Sequence, residues 1–440
     1  MWMCKMKKIK ILVITYLPWR EDNSIGNSYS NIFRGTEDKY EFAHIYFRDG
    51  MPQNNLVHEF YHISEKKLLN RLLLKKEAVG HYFHLDRCED LKKDEFSKLY
   101  NKARILRWEI FFWLREIAGM TNCWKTPDFE DFLNRFNPDL VFGTLSAYPI
   151  ISNMMCYISR RRNIPLITYP WDDHYTFNRI SWSPIYWIRK LQGRYYQRKS
   201  VKQSTFMYVI SDLMKVEYER IFKKECKILF KGHVFDLNHE IQYIVHKPIN
   251  LVYMGNIGCG RWKTLAFLAN TIKYVNEKYG EQRIVLNIYT LSPKDSQIEK
   301  ALNILGTTRL NESVPNDQVE EVMHKADILV HAEPFEKKDY QFYRASFSTK
   351  LVDYFFEAKP ILSIGGITAS TDYLIKNDAT LYATKEEVPN LIQEFIDNPA
   401  ILYKYAKKSW ECGKKNHQID IIQERVHRDF IECINKHRKI

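Results

Sequence analysis

Residues 250–263 read NLVYMGNIGCGRWK, and this stretch decides the fold. The apolar run Asn250–Met254 predicts a buried strand, and a helical pattern begins at Thr264. Between them lie three glycines within six residues, which let the backbone come close to a ligand: Gly255, Gly258 and Gly260. A strand that turns through glycines into a helix is typical of a βαβ unit, in which the free N–H groups of the helix can bind an anion.

Basic residues strengthen this interpretation. Arg261 and Lys263 fall at the start of the helix, where a positive charge opposes the helix dipole at a cost of about 0.3 to 1 kcal/mol each. A bound anion would reverse that sign. The order of the glycines, GxxGxG, is neither a dinucleotide fingerprint nor a phosphate-binding Walker loop.

A second strand-to-helix junction repeats the arrangement. Ser348 is a suitable N-cap, and Thr349 and Lys350 open a helical pattern that ends before Pro360. Lys350 again places a cation at the start of a helix. Two such junctions in one half of the chain predict a pocket for a diphosphate, although either one alone could be structural.

Strands and helices alternate along the whole chain, which predicts two α/β domains with parallel sheets. We predict an N-terminal Rossmann-like domain over 1–240 with a helical insertion at about 59–124, a second over 249–402, and closing helices over 403–440. A hinge is expected near Asp236 to Pro248. The predicted strands are Ile9–Leu17, Glu41–Phe47, Asp139–Leu145, Pro165–Tyr169, Phe206–Ile210, Lys227–Phe230, Asn250–Met254, Arg283–Tyr289, Arg309–Ser313, Asp327–His331, Pro360–Ile364 and Thr380–Ala383.

Composition fits a globular protein, with 45% hydrophobic and 27% charged residues among 440. No apolar run is long enough to span a bilayer, and the start of the chain resembles a strand rather than a signal peptide. The eight cysteines contain no CxxC pair. This pattern suits a reducing cytosol and predicts a cytoplasmic protein.

The net charge of +13 is unevenly distributed. Between Arg160 and Lys202 there are ten basic residues and two acidic ones, Asp172 and Asp173. Such a face could meet anionic lipids at the inner face of the plasma membrane, a pyrophosphate-linked acceptor or nucleic acid, or it could be ordinary solvated surface. The amphipathic run Leu106 to Leu114 could be buried core or could face a membrane or an acceptor.

Two stretches of the second half resemble glycosyltransferases of the GT-B fold, family 4 in particular: LVYMGNIGCGR (251–261) and ADILVHAEPFEKKDYQFYRASFSTKLVDYFFEAKPIL (326–362). In the first half the resemblance rests on GNSYSNIF (26–33) and YVISDLM (208–214). It implies two Rossmann-like domains that face a cleft, with the nucleotide-sugar held mainly by the C-terminal half.

The resemblance also implies roles for single residues. Arg261 takes the place of an Arg that binds the pyrophosphate in the family. Asp353 takes the place of a Glu that binds the ribose hydroxyls. The family's first Glu is replaced by Ala345, and Glu333 or Glu336 on the preceding loop could substitute for it. Lys350 has no counterpart in the commonest form of the motif but could act on the phosphates.

Acceptor-side candidates follow strands of the first half. The polar segment Ser24–Ser28, with Gly26 and Asn27, could form a flexible turn beside the donor phosphates, or could be a plain βα turn. Asp172, Asp173 and His174 could contact an acceptor hydroxyl or transfer its proton, and an ordinary hydrogen-bonding turn is an equal alternative. No metal is expected, because the DxD spacing is absent.

Together these features predict a retaining glycosyltransferase of polysaccharide biosynthesis. It would move a sugar from a UDP-, GDP- or dTDP-sugar to a hydroxyl of a growing, lipid-linked glycan without another cofactor. Charge developing on the departing diphosphate would be neutralised by basic residues and helix N-termini. The alternatives are a nucleotide-sugar epimerase of the same fold and a non-enzymatic polyanion binder. Nucleic acid is not the expected partner, since no nucleic-acid-binding motif is present.

Overall fold

A computed structural model describes residues 7–72, 77–85, 108–236, 238 and 240–439. The chain forms two compact units. Unit 1 comprises Met1–Leu229 and Ile421–Ile440, and unit 2 comprises Phe230–Asp420. The hinge expected near 236–248 therefore belongs to unit 2, and the last helix joins the N-terminal unit.

Unit 1 contains an eight-stranded sheet in the order β4-β3-β2-β1-β5-β6-β7-β8. All neighbouring strands pair in parallel except β3 and β4. The strands are β1 (Ile9–Ile14), β2 (Tyr40–Tyr46), β3 (Val57–Ile63), β4 (Gly80–His84), β5 (Leu140–Gly143), β6 (Leu166–Thr168), β7 (Phe206–Val209) and β8 (Cys226–Ile228).

Helices cover this sheet and bury its apolar side chains. They are α1 (Ser24–Phe33), α2 (Glu65–Leu72), α3 (Glu109–Met120), α4 (Pro127–Phe136), α5 (Pro149–Arg162), α6 (Pro184–Gln203), α7 (Asp212–Phe222) and, at the end of the chain, α16 (Ile419–Arg438). Strands such as β5 read as unbroken apolar runs because both faces of the sheet are covered.

The segment predicted as a helical insertion, about 59–124, has a mixed character. It contains α2 and α3, but it also contributes β4 and most of β3 to the edge of the sheet. The start of the predicted amphipathic run at Leu106 lies outside the described residues. Its remainder belongs to α3, which packs on α2, α5 and α6.

Unit 2 contains a six-stranded parallel sheet in the order β11-β10-β9-β12-β13-β14. The strands are β9 (Ile249–Met254), β10 (Ile284–Thr290), β11 (Thr308–Glu312), β12 (Ile328–Ala332), β13 (Ile361–Ile364) and β14 (Leu381–Ala383). Its helices are α8 (Arg261–Tyr279), α9 (Ser296–Leu302), α10 (Val319–His324), α11 (Lys337–Tyr340), α12 (Lys350–Phe356), α13 (Ala369–Lys376), α14 (Val388–Asp397) and α15 (Ala400–Asn416).

Each strand predicted from the sequence is present, and the α/β architecture with two Rossmann-like domains is confirmed. In each sheet the strand order reverses once beside the first strand. The reversal lies between β1 and β5 in unit 1 and between β9 and β12 in unit 2. Ligands of open α/β sheets bind at the carboxyl ends of the strands at such a point.

Candidate functional site

The glycine-rich segment leaves β9 at the point of reversal in unit 2. Gly255 has φ +145°, and a Cβ added to it would lie 2.0 Å from Nζ of Lys350. A side chain at 255 would therefore collide with the lysine. Gly260 has φ +88° and precedes α8, whose first residue is Arg261. The positive φ of both positions favours glycine, and Gly255 leaves the space in which the cation of Lys350 lies against the strand end.

The ammonium of Lys350 lies at the carboxyl end of β9. It donates a hydrogen bond to the backbone carbonyl of Met254 and lies 5.1 Å from the ring centroid of Tyr253. Burial and the nearby charge of Arg261 lower the pKa of Lys350 to about 8. Lys350 is thus a partly desolvated cation close to a second cation, an arrangement that a bound anion would stabilise.

Arg261 is paired with Glu333, the residue that follows β12 by one position. Its Nε and Nη2 lie 3.1 Å and 3.0 Å from Oε2 of Glu333, and its guanidinium lies 4.2 Å from the ring centroid of Tyr343. Glu333 is buried, and burial raises its pKa while Arg261 opposes that shift. The pair holds Arg261 in one orientation beside Lys350.

The surroundings of Glu333 fix its position. Thr264 donates a 2.8 Å hydrogen bond to its backbone carbonyl, and a Cβ at Gly365 (φ +108°) would lie 1.8 Å from that same oxygen. The imidazole of His331 lies 3.7 Å from Oε1 of Glu333. Burial and the charges of Lys350 and Arg261 lower the pKa of His331 to about 3, so the imidazole is neutral.

Asp353 lies one turn after Lys350 on α12. Its carboxylate accepts a 2.6 Å hydrogen bond from Nζ of Lys231 and remains partly exposed. Its charge acts on Lys350, because it opposes the fall in that lysine's pKa. The structure thus brings Arg261, Lys350, Glu333 and Asp353 into one cluster, termed the unit-2 cluster below.

Three predicted donor-site residues differ in local detail from the expected junction. Ser348 does not cap α12: the cap is Thr349, which makes no side-chain cap bond, and the N–H of Ser348 donates instead to Oγ of Ser370. Lys263 is exposed, and its ammonium lies 5.9 Å from the ring centroid of Trp262 rather than beside Glu333. The local pattern could not show these choices, because all three depend on tertiary packing.

A cavity of about 630 Å³ adjoins the cluster over the ends of β9, β10 and β11. Lys350 and Gly258 lie in its wall. The other wall residues are mostly apolar and include Leu291, Pro293 and Val314. The cavity therefore combines an apolar surface, which suits a flat ring, with a cation at one side.

In unit 1 the predicted polar turn is part of a helix. Gly26 and Asn27 lie in the first turn of α1, where Asn23 is the cap and accepts a 2.8 Å hydrogen bond from the N–H of Gly26. A Cβ at Gly26 would lie 2.1 Å from the carbonyl oxygen of Arg20. The glycine is thus explained by close backbone packing, and the prediction of a flexible turn at Gly26 and Asn27 was wrong.

Asp173 is a structural acceptor. Its buried carboxylate accepts hydrogen bonds from the N–H groups of Tyr175 and Thr176, from the Thr176 hydroxyl and from the Tyr218 hydroxyl. Asp172 and His174 instead line a cavity of about 310 Å³ at the ends of β1, β5 and β6. Burial lowers the pKa of His174, which favours the neutral imidazole.

The same cavity of unit 1 contains a buried charge network that the sequence analysis did not find. Arg115 lies 3.2 Å from Glu65 and 3.8 Å from Glu116, and Arg189 lies 2.6 Å from Glu116. The guanidinium of Arg115 lies 4.3 Å from the ring centroid of Tyr148. In the sequence, only the amphipathic pattern around α3 pointed to this region. The network itself was not predictable from local patterns, because Glu65 and Arg189 are far in sequence from Arg115 and Glu116.

Within the described ranges, no group of three or more His, Cys, Asp and Glu side chains is placed to hold a metal ion. In the same part of the chain, no helix combines the length and apolarity that crossing a membrane requires.

The two sheets and their points of reversal define the GT-B glycosyltransferase fold. A structure of Alr3699/HepE from Anabaena in complex with UDP-glucose is similar, with a TM-score of 0.59 and 9% identity, over 96% of this chain and 100% of that one. TarM has a TM-score of 0.61 and 9% identity over 98% and 100%. A glycosyltransferase from Rickettsia africae has a TM-score of 0.57 and 12% identity over 97% and 99%. The sequence matches no protein-family model and no curated protein.

Proposed function

We propose that this protein is a glycosyltransferase that uses a nucleoside diphosphate sugar and binds its diphosphate at Lys350 and Arg261. The observation that carries the proposal is the position of both cations at the strand-order reversal of unit 2, next to a cavity with an apolar wall. That HepE was solved with UDP-glucose supports a uridine donor. In this arrangement the base occupies the apolar part of the cavity.

The proposed chemistry is electrostatic. As the bond between sugar and phosphate breaks, negative charge grows on the diphosphate, and preformed cations stabilise that charge without reorganisation. Glu333 keeps Arg261 in place, and its carboxylate offsets part of the positive charge of the cluster. The acceptor hydroxyl is proposed to enter the cavity of unit 1, where Asp172 and His174 could orient it. A growing, lipid-linked glycan is the proposed acceptor class.

A donor screen tests this function. Thermal shift of the full chain against UDP-, GDP- and dTDP-sugars should identify one stabilising base, since a ligand of the folded state raises Tm. Turnover of that donor should then require a glycan acceptor. Donor turnover without any acceptor would favour an epimerase, and nucleic-acid affinity without nucleotide-sugar binding would favour a polyanion binder.

We predict that UDP affinity falls above about pH 8, where Lys350 loses its proton. In the unliganded protein Lys350 must be protonated to bind the diphosphate, so affinity is level between about pH 7 and pH 8, where the UDP phosphate is fully ionised, and declines by up to about tenfold per pH unit above that range. Calorimetry across pH measures this. Lys350→Arg keeps its charge and should abolish the decline. A decline that persists in Lys350→Arg would assign the titration to another group.

For Asp353 we predict a role in ribose recognition. Asp353→Ala should weaken UDP binding by about 1.5 to 3 kcal/mol, the size of a hydrogen bond to a charged group, and should weaken 2′-deoxy-UDP binding less. Calorimetry with both nucleotides makes the comparison. Lys231→Met is the matched control because it removes the ion-pair partner but leaves the carboxylate. Equal losses for both nucleotides in Asp353→Ala would exclude the ribose role.

A further inference from the structure

Helix α6 of unit 1 has a face whose side chains are exposed among the described residues, although Arg198 at one end of it donates a hydrogen bond to the Tyr175 hydroxyl. Its exposed residues recur every three or four positions, so they form one stripe along the helix: Pro184, Ile188, Leu191, Tyr195, Arg198 and Lys202. The first four are apolar or aromatic and the last two are basic. The whole helix contains six basic residues and no acidic one. The stripe thus changes from apolar to cationic along its length.

The loop before α6 extends the apolar half. Ile180 is 88% exposed and Trp182 is 98% exposed, although both are large hydrophobic side chains. The loop is nonetheless held firmly, because Trp187 donates a 2.7 Å hydrogen bond to the carbonyl of Ser181 and lies 5.9 Å from the ring of Phe177. The two side chains are therefore presented on an anchored loop, termed the apolar tip below.

A basic basin lies at the other end of the helix. It has a volume of about 800 Å³ and is lined by Arg160, Arg198, Lys199 and Lys202, with Tyr195 at its rim toward the apolar half. Among its lining residues in the described chain there is no carboxylate. The tip lies on the loop that leads into α6 and the basin lies beside the last turns of the same helix, so we expect one flat partner to contact both.

We propose that this face docks on an anionic lipid bilayer, with the apolar tip in the interfacial layer and the basic basin against headgroup phosphates. Charge complementarity identifies the occupant: apolar side chains with Trp lie at one end, and the cations beside them have no carboxylate among the described residues that line the basin, which matches the two layers of such a surface. An aqueous protein partner would need carboxylates and an apolar pocket together. The proposal does not rest on the donor assignment, and it gives a role to basic residues that the sequence concentrates between Arg160 and Lys202.

Vesicle co-sedimentation of the full chain tests the docking. Vesicles that contain phosphatidylglycerol should bind the protein, vesicles of phosphatidylcholine alone should not, and added salt should weaken the binding. Arg160→Glu/Lys202→Glu should lower the partition coefficient by about 25-fold or more, at about fivefold for each charge lost. Ile180→Ser/Trp182→Ser should lower it by about tenfold.

Matched controls are available on unit 2. Lys278→Glu/Lys300→Glu makes the same charge change at exposed positions, and Leu305→Ser removes an equally exposed apolar side chain. Both should bind vesicles as the native chain does. Absence of binding by the native chain, or equal losses in the controls, would overturn the proposal. Sedimentation equilibrium could also overturn it. If the native chain is a dimer and Ile180→Ser/Trp182→Ser is a monomer, the face is an interface between two copies. Unchanged UDP binding in every variant keeps this result separate from the donor site.

Discussion

Lys350→Met is expected to reduce the affinity for UDP by about 30- to 150-fold, which corresponds to about 2 to 3 kcal/mol for a desolvated charge-assisted hydrogen bond. The large effect follows from position. The lysine lies against the end of β9, where Gly255 leaves room for it, and its pKa near 8 shows a cation that is incompletely compensated in the free protein. Methionine keeps most of the side-chain volume and removes only the charge.

Two comparisons make the result specific. Uridine has no phosphate, so its weaker affinity should be the same in Lys350→Met and in the native chain. Lys263→Met removes a cation that follows Arg261 closely in the sequence but lies on an exposed side of α8, and it should change UDP affinity by less than about threefold. Calorimetry gives all five affinities, three for UDP and two for uridine. Equal affinity for UDP in the native chain and Lys350→Met would contradict the donor site.

The sequence was a good guide to the strands and to the place of the unit-2 cluster. Strand ends and glycine spacing are local features, so Gly255 and Lys350 could be assigned to a strand-to-helix junction before the structure was known. The pairing of Arg261 with Glu333 is a different kind of fact. It depends on β9 and β12 being neighbours in the sheet, although about 70 residues separate them in sequence, and no local pattern contains that information.

The errors have the same origin. Gly26 and Asn27 looked like a flexible turn because Ser, Gly and Asn are turn formers, but the cap supplied by Asn23 and the tight packing against Arg20 select a helix. Strands β3 and β4 were missed because their sequences, VHEFYHI and GHYFH, mix polar residues with apolar ones: both contain two histidines, and that of β3 also contains a glutamate. Pairing of β3 with β2 and of β4 with β3 makes those segments strands, and that pairing is set by tertiary structure.

The charge network of unit 1 is the other feature with a large expected effect. Arg115 on α3 is buried, and so are its partners Glu65 and Glu116. Tyr16 completes the contacts, since it accepts a hydrogen bond from Arg115 and donates one to Glu65. A buried charge that loses its partner cannot be rehydrated without opening the fold, so the cost of breaking such a pair greatly exceeds the value of a surface ion pair.

Arg115→Met is therefore expected to destabilise unit 1 by about 3 to 5 kcal/mol, with a fall in Tm of about 10 °C. Burial raises the pKa of Glu65 in the native chain, and Arg115 opposes that rise, so the variant should raise it further. A raised carboxyl pKa favours the folded state at low pH, and this stability is lost as pH rises through the folded pKa. The deficit of Arg115→Met should accordingly be smaller at acidic pH than at neutral pH.

Scanning calorimetry of a compensating double variant and of a surface control variant completes the test. Glu65→Gln in the Arg115→Met background removes an unpaired buried charge and should recover part of the lost stability. Arg179→Met changes an exposed arginine of the same unit, and its free energy of unfolding should stay within about 0.5 kcal/mol of the native value. A fall for Arg115→Met no larger than that of Arg179→Met would mean that Glu65 and Glu116 do not depend on this cation. The network would then be solvated, and the cavity beside Asp172 and His174 would be a wet surface groove rather than a preorganised pocket.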